Sequence, residues 1–470
     1  MRRYLSFVSF QSILSALVAG KRSHMKLKLP VFLPVCLLGI AFQAGAFAQS
    51  AKTGFKFDFG PGKTATGYTK ALPSNTYTKE TGYGFDFGTT VSAVERGGKD
   101  AGKDGFVASD KPFYFSVAVP EGNYNVTVTL GDAKGKSATM LKAESRRLLA
   151  ENISTEPGKF VTRTFTINVK SRQISTGGTV DLKPRELNKL DWDEKLTLEF
   201  DGTTCLNALE ITPAKDVVTV FLAGNSTVVN QDDEPWAAWG QMIPRFFKPG
   251  VAIANHAESG LTLGSFLGSH RLEKVLSVMK PGDYLFIEFG HNDQKEKGVN
   301  DGAFKSYTER LKLFVSEAKK KGGIPVIVTS TARRNFDEAT GKNVNSLGDY
   351  PEAARKVAQE EQVALIDLNA MTTTLYEAMG VEESKKAFVH YPANSYPNQP
   401  QPLADNTHFN PYGAYEIAKC IVEGIKANKL AISKFLINDT PAFNPAKPDA
   451  LTAWHWIESP RSAVTKPDGN

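Results

Sequence analysis

After Lys215 the chain contains five short, almost wholly apolar runs: "VVTVFLAG", "VAIANHA", "DYLFIEFG", "IPVIVTST" and "VALIDLN". A strand with one wet face alternates apolar and polar residues, so runs this continuous belong to strands covered on both faces. Helical patterns separate them at Trp236 to Phe247, about Phe266 to Met279, Ala303 to Lys321 and Pro351 to Glu361. Alternation of this kind predicts a parallel sheet with helices on both sides. Ligands of such sheets bind outside the carboxyl ends of the strands, near the point where strand order reverses. The polar residues that follow each run are therefore the place to look for function.

Residues 54–213 follow a different grammar. "FKFDFG", "FYFSVAVPEGNYNVTVTLG", "KFVTRTFTINVK" and "KLTLEFDG" alternate apolar and polar residues between Gly, Pro, Asn and Asp. Short strands without a long helical pattern predict an all-β sandwich. This segment holds no histidine, so histidine-dependent chemistry belongs to the second half. The division expected is a leader over 1–48, a β-sandwich over 54–213, an α/β catalytic domain over 216–430 and a C-terminal extension over 431–470. A chain of 470 residues is long enough for two cores.

The formal charge of +6 misleads, because residues 1–48 carry six basic residues and no acid. The remainder balances 50 basic against 50 acidic residues, which argues against a nucleic-acid partner. From Met25 the order is Lys26 and Lys28, then "LPVFLPVCLLGIAF", then "AFA" ending at Ala48. That is the pattern of a signal peptide cleaved after Ala48, implying a secreted or periplasmic protein. The 24 residues before Met25 are read as a misassigned start, with an unusually long leader as the alternative. Cys36 lacks a convincing lipobox, so no lipid anchor is expected. Past the leader no segment approaches the length of a membrane helix. Cys205 and Cys420 are expected as two buried free thiols rather than a disulfide, and their number excludes a cysteine-based metal site.

The first strand run ends in Gly224-Asn225-Ser226-Thr227, the second in "NHAESG" at Gly260, and the third in Gly290-His291-Asn292-Asp293. Near the end, "DNTHFNPYGAYEIAKCIVEGIKA" supplies Asp405 and His408 before an Asn410-Pro411 helix start, with Asp405 to His408 read as the entering turn. Ser226 alone reads more readily as a helix cap than as a nucleophile. Together these residue types suit acyl transfer. A serine hydroxyl needs a base, imidazole suits that task near neutral pH, and a carboxylate fixes its tautomer. The amides of Ser226 and Gly260 and the side chain of Asn292 would then supply three oxyanion donors.

Taken in order, "GNS", "SG", "GHND" and "DNTH" resemble the blocks of the SGNH (GDSL-type) hydrolases. The wider phrases "FLAGNSTV", "PWAAWGQMI", "FGHNDQK" and "DNTHFNPYGA" look most like the rhamnogalacturonan acetylesterases of pectin breakdown. "FKFDFGPG" and "GYGFD" resemble the galactose-binding-like sandwich that often precedes this domain. The resemblance implies a three-layer, flavodoxin-like α/β domain over about Val217 to Asn428. It also implies Ser226 as nucleophile, Asp405 and His408 completing the triad, and Ser226, Gly260 and Asn292 as the oxyanion hole. No metal or cofactor is implied, and the partner expected is an acetylated polysaccharide. Asn225 departs from the usual Gly-Asp-Ser, although an amide reproduces much of the turn's hydrogen bonding.

Weaker candidates remain beside these. Arg333 and Arg334 are read either as contacts to a galacturonate carboxylate or as a surface ion pair. His291 and Asp293 are expected to shape the Asn292 loop. Tyr68, Tyr83 and Trp192 could stack on sugar, or the sandwich could merely pack against the esterase. The tyrosines of "HYPANSYPNQPQPLADN" could wall a sugar groove or belong to a structural loop. Rival functions are an esterase acting on acetyl-xylan or lipid, and a non-catalytic carbohydrate-binding protein.

Overall fold

A computed structural model of the chain describes residues 54–98, 100–438, 442–461 and 466–468. The leader, with the Met25 start and the Ala48 cleavage site, lies outside the described residues. Among those described, no helix is long and apolar enough to cross a membrane.

The N-terminal half is mostly antiparallel β-structure organised by one long strand, Lys195–Pro213. Its first part pairs with Phe113–Ala118 and Ser137–Ala143, its second with Phe55–Phe59 and Gly122–Asp132. Just before the change of partners sits Gly202, whose φ of +86° and 2.5 Å approach of a would-be Cβ to the Ala138 carbonyl admit only glycine. Between the two layers lies an aromatic core. Phe57 meets Phe115 edge-on at 5.1 Å and Phe113 stacks on Phe200 at 4.9 Å. The alternating patterns therefore become a sandwich because each strand sends every second side chain into this core.

The five apolar runs all become parallel strands: β1 (Val218–Gly224), β2 (Val251–Asn255), β3 (Tyr284–Glu288), β4 (Ile324–Val328) and β5 (Ala364–Ile366). They lie in the order β2-β1-β3-β4-β5, so strand order reverses at β1. Alternate residues feed opposite cores. Val220, Leu222, Ile253 and Phe286 face helices Leu368–Met379 and Pro411–Ala427, with Ile417 and Ile421 packed among them. Phe221, Ala223, Leu285 and Ile287 face the other side, where Phe266, Leu311, Phe314 and Val357 pack. The result is the three-layer α/β arrangement expected.

Several local expectations differ. The segment Trp236 to Phe247 is not one helix but a single α-turn, Trp239–Met242, followed by the 3₁₀ turn Ile243–Phe246. Pro244 lacks the N–H that would continue the α ladder. The stretch Phe266 to Met279 is broken at His270, which sits at φ +60° between helices Leu263–Gly268 and Arg271–Val278. Asp405 to His408 do not form a simple turn. They lie on the strand Leu403–Phe409, bulged against Phe388–Tyr391, immediately before the Asn410-capped helix. Cys205 and Cys420 are free and buried, as read from their spacing.

The two halves meet through charge as well as through Met140 and Leu148, which join the apolar core of the α/β domain. The turn Glu144–Arg147 projects from the sandwich, and Arg146 donates to the carbonyls of Gln231 (3.2 Å) and Trp236 (2.8 Å) while pairing with Glu234 at 2.5 Å. Lys142, fully buried, faces Glu199 and Asp201 and also donates to Ile457 O (2.8 Å) and Ser459 Oγ (2.9 Å) of the C-terminal extension. That extension crosses the seam and brings Lys466 within 3.6 Å of Asp405.

Candidate active site

Ser226 follows β1 at the point of order reversal, in a turn closed by hydrogen bonds from Val228 N and Val229 N to Asn225 O, each 3.0 Å. No helix begins there, since the next one starts at Trp239, so Ser226 is not a helix cap. Asn225 Oδ1 accepts from Thr227 N (3.2 Å) and from Thr227 Oγ1 (3.0 Å), which shows the amide organising this turn. Beneath it, Thr227 Oγ1 also lies 2.8 Å from Glu288 Oε1, and Trp239 Nε1 donates to Glu288 Oε2. Burial pushes the Glu288 carboxyl up to about 7, only partly offset by these donors.

The imidazole of His408 connects the two ends of the domain. Its Nε2 is 2.9 Å from Ser226 Oγ, and its Nδ1 is 2.7 Å from Asp405 Oδ2. Asp405 Oδ1 accepts from the backbone N–H groups of Thr407 (2.9 Å) and His408 (3.0 Å), which fixes the carboxylate to the bulge. Burial alone would raise this acid, but the histidine and the two amides outweigh it and hold it at about 2. Ser226 and His408 are only 2% and 1% exposed, so the pair operates in a low-dielectric setting.

Gly260 sits at φ +78°, a conformation that favours glycine, and Leu261 N closes its turn on Glu258 O at 3.2 Å. Asn292 Nδ2 donates to Leu261 O (3.1 Å), which ties the loop after β3 to the loop after β2. The neighbours of Asn292 shape this loop, as read. Asp293, raised to about 7 by burial, accepts from Leu263 N and Gly290 N at 2.9 Å each. His291 is buried, and burial depresses its imidazole well below the usual range.

The remaining candidates divide. Arg333 bridges the site's rim, donating to Thr407 Oγ1 (3.2 Å) and His291 O (3.3 Å). Arg334 directs its guanidinium to Ser384 Oγ (3.0 Å), Asn406 Oδ1 (3.1 Å) and Val381 O, away from a bare surface ion pair. The three aromatic residues of the sandwich share no groove. Tyr68 binds Glu210 at 2.5 Å, Tyr83 packs on Phe57, and Trp192 stands between Lys170 and His256. Tyr391 and Tyr396 of the long loop pack edge-on at 5.2 Å, and Tyr396 binds Glu458 at 2.9 Å.

Sequence reasoning missed five residues around the serine. Gln231 Nε2 donates to Ser226 O at 3.1 Å. Glu258 pairs with Lys189 (2.8 Å) and Arg185 (2.7 Å) of the sandwich, and these cations overcome burial to hold it at about 2. Glu288 carried a usable signal, being an acid inside an otherwise apolar run. Lys189 and Arg185 carried none, because their partner lies about 70 residues away.

Comparison with known proteins agrees with this architecture. Residues 55–176 match a family model described as β-agarase/YXIM esterase-like, galactose-binding domain-like, and residues 221–414 match the GDSL-like lipase/acylhydrolase family. Rhamnogalacturonan acetylesterase RhgT of Bacillus subtilis (strain 168) is 43% identical over 226 residues, 48% of this chain and 96% of that protein. The uncharacterized esterase YxiM of the same organism is 27% identical over 391 residues, 80% of this chain and 92% of that one. A crystal structure of Bacillus subtilis YxiM covers 81% of this chain and 99% of that chain at 26% identity, with a TM-score of 0.43. With the parallel sheet, the loops at its carboxyl edge and the sandwich before it, the chain belongs to the GDSL-like lipase/acylhydrolase family.

Proposed function

We propose that this protein is an exported serine esterase that removes acetyl groups from a pectic polysaccharide. The reading is carried by the hydrogen-bonded series Asp405–His408–Ser226, with links of 2.7 and 2.9 Å. Ser226 Oγ attacks the acetyl carbonyl while His408 Nε2 takes its proton. The carbonyl oxygen becomes an oxyanion, received by the amides of Ser226 and Gly260 and by the Asn292 side chain. As the intermediate collapses, His408 returns the proton to the departing sugar oxygen, leaving acetyl on Ser226. Water, deprotonated by His408, then attacks that ester, and as acetate leaves His408 returns the proton to Ser226 Oγ. Asp405 keeps the imidazole in the tautomer that presents a bare Nε2 to serine.

The pectic substrate is supported by the likeness to a protein named rhamnogalacturonan acetylesterase. Export is supported by the leader pattern ending at Ala48. The test is acetate release from acetylated rhamnogalacturonan and acetylated xylan by the mature protein and by Ser226→Ala. Preferential release from the pectic polymer, lost in the variant, is the expected result. Preference for xylan would retain the esterase and reject the pectic substrate. Release undiminished in Ser226→Ala would reject the nucleophile.

A further inference from the structure

Lys183 and the 3₁₀ segment Pro184–Asn188 belong to the sandwich side of the seam, yet they reach the turn that carries Gly260. Lys183 Nζ and Arg185 Nη2 both donate to Ser259 O, at 2.6 and 2.8 Å. Beyond that carbonyl the same two cations share one carboxylate oxygen. Asp468 Oδ2 lies 3.3 Å from Lys183 Nζ and 3.1 Å from Arg185 Nη2. A Cβ placed on Gly260 would stand 2.8 Å from the Cβ of Asp468, so this aspartate is seated directly on the proposed oxyanion donor.

The arrangement differs from the buried pairs of the seam. Lys183, Arg185 and Asp468 keep 30, 34 and 58% side-chain exposure, so an incoming group has access to the cations. Arg185 and Ser259 also line a cleft of about 360 Å³ with Lys189, Arg461 and Lys466, within the size range of small-ligand sites. The acids of that cleft have partners of their own. Glu258 is shared by Arg185 and Lys189, Asp232 accepts from Ser145 Oγ at 2.5 Å, and Asp233 faces Arg461 at 4.0 Å. Removing Asp468 from this set leaves Lys183 and the Glu258-paired Arg185 beside Gly260, with the place of one carboxylate open.

We propose that Lys183 and Arg185 form a subsite for a uronate carboxylate of the acetylated substrate, which Asp468 occupies until substrate displaces it. The inference rests on the acetylesterase reading of Ser226 and adds the group that selects the polymer. A carboxylate held between an ammonium and a guanidinium gains an ion-pair attraction, beyond the hydrogen bonds, that a neutral ester lacks. Because both cations grip Ser259 O, the anchored sugar sits one residue from the Gly260 amide. The sandwich thereby contributes selection while the α/β domain contributes chemistry.

The experiment uses acetylated galacturonate oligomers in two forms, with free carboxylates and with those carboxylates methyl-esterified, and 4-nitrophenyl acetate as a small neutral ester. For the unaltered protein, KM for the free-acid form is expected to be about tenfold lower than for the methyl ester, the order of one charge-assisted hydrogen bond. Lys183→Gln combined with Arg185→Gln abolishes that ratio, whatever it does to the two values separately. Asp468→Asn lowers the free-acid KM a few-fold relative to the ester. Equal KM values in the unaltered protein, or a ratio that survives the double substitution, overturns the subsite. An unchanged ratio in Asp468→Asn overturns the role given to Asp468 even where the double variant is too unstable to assay. Failure of the esterase reading is seen separately, as cleavage of 4-nitrophenyl acetate that persists in Ser226→Ala.

Discussion

At the carboxyl edge of the parallel sheet the residues assigned to the chemistry are few and sparingly charged: Asn292, one imidazole and the carboxylate, Asp405, that holds it, with Asn225 organising the serine turn. A short distance along the chain, the seam with the sandwich is built from buried ions. There Arg146 faces Glu234 and Lys189 faces Glu258, while Lys142, paired with Glu199 and Asp201 inside the sandwich, holds the C-terminal extension. Burial strengthens both sets of interactions, but it serves different ends. At the edge it sharpens a proton transfer between neutral partners, whereas at the seam it punishes any misfit between the two domains. Chemistry should therefore be lost by small changes at the edge, and stability by small changes at the seam.

The largest effect expected is at the edge. Asp405→Asn keeps the shape of the carboxylate but admits the wrong imidazole tautomer, and kcat should fall by about 10⁴. Unfolding in urea should change far less. A loss of activity under tenfold would mean that Asp405 only supports the bulge.

At the seam the expectation inverts. Arg146→Met leaves Glu234 buried without its cation and removes the donor to the Gln231 and Trp236 carbonyls. Breaking such a pair from one side costs about 3–5 kcal/mol, measurable as a lowered urea midpoint. A cost below about 1 kcal/mol would show the seam to be hydrated and the comparison with the edge to be mistaken. Asn292→Ala returns to the edge with a smaller effect. It should lower kcat by about a hundred- to a thousandfold with KM little moved, as for loss of one oxyanion donor.

The two regions also differ in how far the amino-acid sequence exposes them. The five strands were legible because a fully covered strand has to be apolar throughout, and the edge followed because such strands end where ligands bind. Ser226, Gly260, Asn292, Asp405 and His408 fall at those ends. Three of these follow strands β1, β2 and β3, while Asp405 and His408 arrive at Ser226 from the far end of the domain. The bulge carrying Asp405 was not legible, because it depends on pairing with Phe388–Tyr391, a partner that no local pattern announces. The break at His270 escaped for a similar reason, since the apolar period runs on through it. The seam was hidden almost entirely. A lysine such as Lys142 reads as a solvated residue until Trp456 and two acids, all distant in sequence, are seen around it.

The smallest effect sharpens the contrast within one residue type. Glu258 and Glu288 are both about 1% exposed or less and both flank the serine turn, but Lys189 and Arg185 face the first while only neutral donors face the second. Burial opposes ionisation of each. At Glu258 the two cations outweigh it and the acid falls to about 2, whereas at Glu288 burial prevails and the acid rises to about 7. The consequences for stability have opposite signs. Glu258 stabilises the fold above pH 4.5, and that contribution is lost as pH falls toward 2. Glu288 is protonated in both states at low pH, so its burden is absent there, grows as pH rises from 4.5 to 7, and is constant above. Its size is at most about 3.5 kcal/mol, from the rise of the carboxyl from 4.5 to about 7. Urea unfolding of the unaltered protein and Glu288→Gln at pH 5 and pH 7.5 tests this directly. The variant, which cannot ionise at that position, should lose less stability between the two pH values than the unaltered protein. Equal losses in both would mean that Glu288 is already ionised at pH 5, and that the sheet edge carries a buried charge like those of the seam.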